Sequence, residues 1–143
     1  MFRKGNCPKI ELLKNVDFKL LAGDWYTHRT INASMYPAEC YHAVCKVNKD
    51  GSLTSSVEMR LAGHYFRMDH LNTFLVDDLM HFDFFDNKVQ IQGGLLLMND
   101  KYIVDYACFD HFDFQLDKEL EPVHFFMLGI STRDPATMPE DLD

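Results

Sequence analysis

The chain has 143 residues, enough for one domain of ordinary size. Its hydrophobic fraction of 47% supports a real core, and its 25% of charged residues excludes a disordered or low-complexity chain. No apolar run approaches the ~18 residues of a spanning helix, and a formal charge of −8 repels phosphate backbones. The composition predicts a single domain over residues 1–143, with no membrane span and no nucleic-acid partner.

The first segment, residues 8–22, places its apolar residues without one helical stripe, which predicts a short turn or 3₁₀ segment. After Gly23 the period changes to two. Cys40–Val47 and Leu53–Leu61 alternate as half-buried strands, and Asp50-Gly51 between them is a strong hairpin turn signal. Gly63 turns the chain into a further strand with His64, Phe66, Met68 and His70 on one face.

The rest of the chain continues the period of two. Alternating segments cover residues 80–84, 89–92, 95–98, 102–109 and 123–130, and Gly93-Gly94 predicts a break or bulge. The connections are short and no helices intervene, which excludes parallel βαβ units. An antiparallel meander of about eight strands closes into an up-and-down barrel wide enough for one small ligand. The fold class is therefore predicted to be an all-β, eight-stranded antiparallel β-barrel.

The inward faces of these strands predict a pocket wall rich in apolar and aromatic side chains. Core packing alone explains each of them equally well, because the core of such a barrel is also its ligand site. The predicted wall comprises Tyr41, Ala43, Val57, Met59, His64, Phe66, Met68, Phe82 and Phe84.

Four motifs in chain order give the sequence a family resemblance. Gly23-Asp24-Trp25-Tyr26, preceded by Asn15-Val16-Asp17-Phe18, resembles the first conserved region of the lipocalins. The segment from Asn99 through Tyr106-Ala107-Cys108 resembles their second region, and Arg133-Asp134-Pro135 their third. The start at Cys7-Pro8 resembles the apolipoprotein D, retinol-binding protein and bilin-binding protein group.

The sequence departs from the family pattern in three places. Leu97-Met98-Asn99 replaces the usual T-D-Y of the second region. Pro139-Glu140-Asp141 would begin the C-terminal helix, which here is truncated to one turn. The Cys that follows this helix and usually pairs with the position of Cys40 is absent.

The resemblance implies most of the functional expectations. It implies a secreted carrier of a small hydrophobic molecule, with a bilin, retinoid, carotenoid or fatty acid as ligand and no required cofactor. It implies a Cys7–Cys108 disulfide and a structural pairing of Trp25 with Arg133. Asn32-Ala33-Ser34 is an N-glycosylation sequon, as an exported protein would carry. The polar start Met1-Phe2-Arg3-Lys4 is no signal peptide, so secretion implies a leader that has been removed.

Asp105 is the most specific candidate for a ligand-binding residue. The resemblance turns Ile103, Asp105 and Ala107 toward the cavity, where a carboxylate is costly unless it is paired or hydrated. Such a group would pair with an amine ligand or accept hydrogen bonds from tetrapyrrole nitrogens. The opposite parity, with Tyr102, Val104 and Tyr106 inward and Asp105 in solvent, fits the alternation equally well.

The remaining hypotheses concern single side chains and partners. His64 at the open end is the best candidate for an axial haem ligand, but His64 and His70 lie too far apart to share a metal, and no metal site is expected. Cys40 and Cys45 face opposite sides of one strand; Cys45 is either an inert core thiol or a cavity nucleophile. An amine-scavenging carrier and a protein-binding inhibitor, both known among salivary lipocalins, remain alternatives, and a homodimer is left open. No motif favours an enzyme.

Overall fold

A computed structural model describes residues 3–31, 38–84, 89–110 and 121–136. Its elements are nine β-strands and one 3₁₀ turn at Phe18–Leu21. The strands are β1 (Arg3–Lys4), β2 (Gly23–Ile31), β3 (Ala38–Val47), β4 (Leu53–Leu61), β5 (His64–Val76), β6 (Leu79–Phe84), β7 (Val89–Met98), β8 (Tyr102–Asp110) and β9 (Val123–Thr132).

Strands β2 to β9 form one antiparallel sheet in chain order, and the sheet curves until its two ends meet. β9 pairs with β8 from Tyr102↔Thr132 to Asp110↔His124, and with β2 from Tyr26↔Thr132 to Ile31↔Leu128. The two-residue β1 is added to the outer end of β9. The predicted all-β, eight-stranded up-and-down barrel is confirmed.

The hairpin turns follow the glycine signals of the sequence. The β3–β4 turn closes through a hydrogen bond from Gly51 N to Asn48 O of 3.0 Å, and Gly51 has φ 86°. In the β4–β5 turn, Gly63 has φ 78° and Ala62 has φ 50°. Both turns need backbone conformations that glycine adopts without strain.

The N-terminal segment plugs one end of the barrel. Phe18 and Leu21 of the 3₁₀ turn are buried there with Trp25, whose indole Nε1 donates a 2.9 Å hydrogen bond to Leu21 O. The Arg133 guanidinium lies 3.8 Å from the Trp25 ring and donates to the carbonyls of Asp24 and Leu20. The predicted 3₁₀ segment and the Trp25–Arg133 pair are both confirmed, and they seal the closed end.

Before it reaches that plug, the N-terminal segment crosses the outside of the barrel. The predicted disulfide joins Cys7 to Cys108 on β8, and Leu13 N donates to Leu95 O on β7 over 2.8 Å. Tyr106, on the outer side of β8, is only 3% exposed. Both faces of β8 are therefore buried, which is why its alternation did not decide which face points inward.

Two details of the predicted strands were wrong. Residues 89–92 and 95–98 belong to one strand, β7, because Gly93 pairs with Ala107 and Gly94 with Tyr106; the ladder has no break there, and its register shift lies between Leu95 and Leu97. His70 does not share a face with Met68, because the β4–β5 register shifts between Ser55 and Val57 and His70 takes φ 63°. The predicted C-terminal helix at Pro139-Glu140-Asp141 lies outside the described residues.

Two ladders of the barrel are short. Within the described residues, β2 pairs with β3 only from Gly23↔Cys45 to Tyr26↔His42. On the other side, β5 pairs with β6, among the residues described, only from Asn72↔Asp83 to Val76↔Leu79. In the part of the chain that the structure describes, the outer halves of β3, β4 and β5 are therefore paired only with one another, and we call them the three-stranded extension.

Candidate functional site

The barrel encloses a cavity of about 160 Å³ above the closed-end plug. Apolar side chains form most of its wall, and hydroxyl, thiol and carboxyl groups supply a minority. The lining residues are Leu21, Trp25, Thr27, Tyr41, Ala43, Cys45, Leu53, Ser55, Val57, Leu71, Thr73, Met80, Phe82, Leu95, Ile103, Asp105 and Ser131.

Five of the predicted site residues lie on this cavity: Tyr41, Ala43, Val57 and Phe82 of the predicted wall, and the separate candidate Asp105. Each comes from a different position on the inward face of β3, β4, β6 or β8, and the closed ladder brings them together.

Four other predicted residues lie elsewhere. Met59, His64, Phe66 and Met68 are on the outer halves of β4 and β5, beyond the enclosed cavity. Register still places them on the inward side, since Met68 pairs with Val57 and Phe66 with Met59. His64 is exposed at the hairpin end, where the haem hypothesis placed it near the open end. The Phe84 side chain and Asn32 lie outside what the structure describes.

Asp105 points into the cavity, so the structure selects the inward alternative for this strand. Its backbone partner on β9 is Gly129, and a Cβ at Gly129 would lie 2.6 Å from Oδ1 of Asp105. Because Gly129 has no side chain, the carboxyl group of Asp105 fits beside it. Burial raises the pKa of Asp105 from 3.8 to about 6, and a backbone hydrogen bond lowers it in part.

Tyr41 is the second polar group of this wall. Burial is the main cause that raises the pKa of its phenol, and the charge of Asp105 adds to the rise. The phenol therefore stays protonated and can donate a hydrogen bond, while the nearby carboxylate can accept one. Tyr41 and Asp105 together offer a ligand both a donor and an acceptor in an otherwise apolar cavity.

Four other polar groups of the cavity pair with one another. The hydroxyls of Thr27 and Ser131 are 2.8 Å apart, and the Ser55 hydroxyl donates to Cys45 Sγ over 3.3 Å. Burial raises the pKa of the Cys45 thiol, and the Ser55 hydrogen bond opposes this only in part. A thiol with a raised pKa is a poor nucleophile, so the structure favours the inert interpretation of Cys45.

Sequence reasoning did not assign the other twelve lining residues to the ligand site; five of them are Thr27, Ser55, Leu71, Thr73 and Ser131. Ser55 had a usable signal, because it shares the parity of Leu53 and Val57 on an unambiguous strand. Leu71 and Thr73 had none, because the β5 bulge reverses the parity that His64, Phe66 and Met68 establish.

Two findings bear on other classes of site. Among the described residues, no three His, Cys, Asp or Glu side chains are grouped so that they would hold a metal ion. No helix of the described chain is long and apolar enough to cross a membrane.

Comparison with solved structures identifies the fold of this barrel. No protein-family model matches the sequence, and neither does any curated protein. Solved structures do match over nearly the whole chain, and together with the motifs, the plug and the cavity they show that this protein has the lipocalin fold.

Three of these structures illustrate the similarity in fold. Insecticyanin of the tobacco hornworm Manduca sexta matches with a TM-score of 0.66 at 16% identity, covering 97% of this chain and 75% of insecticyanin. H1 crustacyanin of the lobster Homarus americanus matches with a TM-score of 0.65 at 13% identity, covering 99% and 77%. The siderocalin Ex-FABP, described as having dual ligand specificities, matches with a TM-score of 0.59 at 14% identity, covering 86% and 80%.

Proposed function

We propose that this protein is an extracellular carrier that holds one small hydrophobic molecule in the barrel cavity. The observation that carries the proposal is the cavity itself: its wall is mostly apolar, and one acceptor and one donor, Asp105 and Tyr41, converge on it. Preformed apolar pockets with a few placed polar groups are the usual form of small-molecule sites.

A bilin, retinoid or carotenoid pigment is the preferred ligand within this proposal. The Cys7-Pro8 start and the aromatic residues of the barrel support a pigment, and so does the likeness in fold to insecticyanin and crustacyanin. Secretion fits the Cys7–Cys108 disulfide, since such bonds persist in oxidising compartments. No catalytic role is proposed for the thiol of the cavity, Cys45, because burial raises its pKa.

The test is the binding of a panel of biliverdin, retinol, a carotenoid and a fluorescent fatty acid to the purified protein. Ala43→Phe fills the cavity from β3 and is expected to abolish saturable binding. Val44→Phe is the matched control, because the neighbouring side chain is 42% exposed on the outer face of the same strand. Stoichiometric binding lost only in Ala43→Phe supports the proposal. The absence of binding by the unmodified protein overturns it, and so does equal binding by both variants.

A second candidate ligand is an amine, and the position of Asp105 favours it. The carboxylate would pair with an ammonium group, and this pairing would repay the cost of its burial. Asp105→Asn keeps the shape and removes the charge, so it is expected to weaken amine binding at least tenfold and to leave a neutral polyene unaffected. Unchanged amine affinity in that variant would remove this candidate. A protein-binding inhibitor with a cavity that holds no ligand, and a homodimer, remain further alternatives.

A further inference from the structure

The three-stranded extension formed by the outer halves of β3, β4 and β5 has an apolar inner face. Met68 pairs with Val57, which lines the cavity, and Met59 pairs with Phe66 two residues further out. Two residues along a strand cover about 7 Å, so this face continues directly from the cavity wall. We call Met59, Phe66 and Met68 the shelf.

The shelf is only partly covered. Phe66 is 48% exposed although it lies on the inward side of the sheet, whereas Val57, two pairs closer to the plug, is 4% exposed. The difference follows from the two short ladders, because neither β2 nor β6 is paired with the extension at this level within the described residues. A large aromatic side chain that faces inward and is left half exposed marks a surface that a ligand or partner can cover.

The extension also has backbone irregularities where it joins the barrel. Cys40 on β3 takes φ 53° and His70 on β5 takes φ 63°, and the ladders to β4 shift register beside each of them. Bulges of this kind bend a strand and increase its twist. The extension is therefore separated from the lower barrel wall by an irregular ladder position on each side of β4.

We propose that the shelf is a second compartment of the ligand site, which takes the apolar tail of an elongated amphiphile whose hydrogen-bond-donating head lies inside the cavity at Asp105. This inference rests on the proposed function and names the shape and orientation of the ligand. It assigns the contact with the tail to Met59, Phe66 and Met68.

Cavity size supports two compartments. A cavity of about 160 Å³ is smaller than the roughly 300–1,000 Å³ of typical ligand pockets. A ligand of ordinary size would therefore project from it, and the shelf is the apolar surface continuous with its wall. Asp105 and Tyr41 line the enclosed part, so the polar end of the ligand is expected to be inside and the apolar end outside.

The test uses linear primary amines of increasing length, hexylamine, dodecylamine and hexadecylamine, below their aggregation concentrations. Each competes with a fluorescent fatty acid for the protein. Affinity is expected to rise with length, because every methylene on the shelf is removed from water. Phe66→Ser is expected to leave hexylamine binding unchanged and to weaken hexadecylamine binding about tenfold. Tyr65→Ser, at the exposed neighbour on the opposite face, is the control and should change neither.

A second variant reports the contact directly. Phe66→Trp places an indole on the shelf, and its emission is expected to shift to the blue with hexadecylamine and not with hexylamine. Trp25, the single natural tryptophan, lines the floor of the cavity, so its own response to each amine is recorded with the natural protein and subtracted.

The outcomes separate this inference from the proposed function. Equal affinity for all three amines, or no effect of Phe66→Ser together with an unshifted Phe66→Trp, overturns the shelf while leaving the cavity as a binding site. Alkanoates of the same lengths binding as tightly as the amines would overturn the head-group assignment at Asp105. No binding of the fluorescent fatty acid or of any amine would overturn both the cavity and the shelf.

Discussion

Asp105 shows how a single side chain can be costly to the fold and useful to the site. Its carboxyl group faces an apolar cavity, and the pKa of about 6 records how strongly that environment disfavours the charge. Gly129 on the neighbouring strand leaves it room, since any larger residue there would collide with the carboxyl oxygens. Two residues on adjacent strands thus keep a destabilising group where a ligand would meet it.

The cost predicts a pH-dependent effect of Asp105→Asn. Because the folded-state pKa of about 6 lies above the ordinary 3.8, the penalty is absent below about pH 4 and complete above about pH 7. The difference of about two between these pKa values corresponds to a free energy of roughly 2–3 kcal/mol. We therefore expect Asp105→Asn to raise the free energy of unfolding by about 1–3 kcal/mol at about pH 8 and to change it little at about pH 4.

Urea denaturation at the two pH values measures this effect. Asp100→Asn, in the exposed β7–β8 turn, is the control and should have a small effect at both. An Asp105→Asn variant that is equally or less stable than the natural protein at about pH 8 would contradict the burial of the charge.

At the scale of elements, the outer face of the barrel carries a side-chain bridge between three strands. His42 on β3 lies 2.8 Å from Asp24 on β2 through Nε2 and 2.9 Å from Glu58 on β4 through Nδ1. The ring also stacks on Tyr26, with centroids 4.5 Å apart. This bridge sits at Tyr26↔His42, the last pair before the β2–β3 ladder ends, and so ties the strands where the backbone pairing stops.

The bridge predicts that His42→Gln weakens the fold mainly at lower pH. The hydrogen bond with Glu58 is the largest cause that raises the pKa of His42 in the folded state. The stabilisation is therefore complete below the unfolded-state pKa of 6.5 and is lost as pH rises through the raised folded-state value. A loss of about 1 kcal/mol is expected at about pH 6, and a smaller loss at about pH 9.

Thermal or urea unfolding at the two pH values tests the bridge, with His64→Gln at the exposed hairpin as the control. Equal losses at both pH values in His42→Gln would mean that packing on Tyr26, rather than the charge, accounts for the contribution.

The strands also show which parts of the fold a sequence can reveal. β4 was predicted at its observed bounds, because apolar and polar residues alternate along most of its length. β8 has two buried faces, so the alternation of its residues did not show which face points into the barrel. Only the family resemblance favoured the face that carries Asp105. The β5 bulge depends on tertiary pairing with β4, and no local signal placed it; the cavity residues beyond it, Leu71 and Thr73, were missed for that reason.

At the scale of the molecule, the Cys7–Cys108 bond joins the start of the chain to the eighth strand across 101 residues of sequence. The closed loop includes β2 to β7, so the bond restricts most of the unfolded chain. The N-terminal strap that it anchors covers β8 and leads into the plug.

Loss of this bond is expected to lower the free energy of unfolding by about 2–5 kcal/mol. The comparison is between the natural protein and the Cys7→Ser/Cys108→Ser double variant in urea, each with and without reductant. Cys40→Ser is the control, because Cys40 is a free, exposed thiol. A stability that reductant does not change in the natural protein would contradict the expectation.

The closed end of the barrel also determines how well substitutions at the other end are tolerated. The plug of Phe18, Leu21 and Trp25, the Arg133 clamp and most of the buried core lie at one end, while the shelf contributes partly exposed side chains at the other. Substitutions on the shelf therefore remove little buried surface and should cost little stability. A protein built in this way can exchange one ligand preference for another through changes at its rim while its base remains the same, which makes it a permissive starting point for selecting new binders.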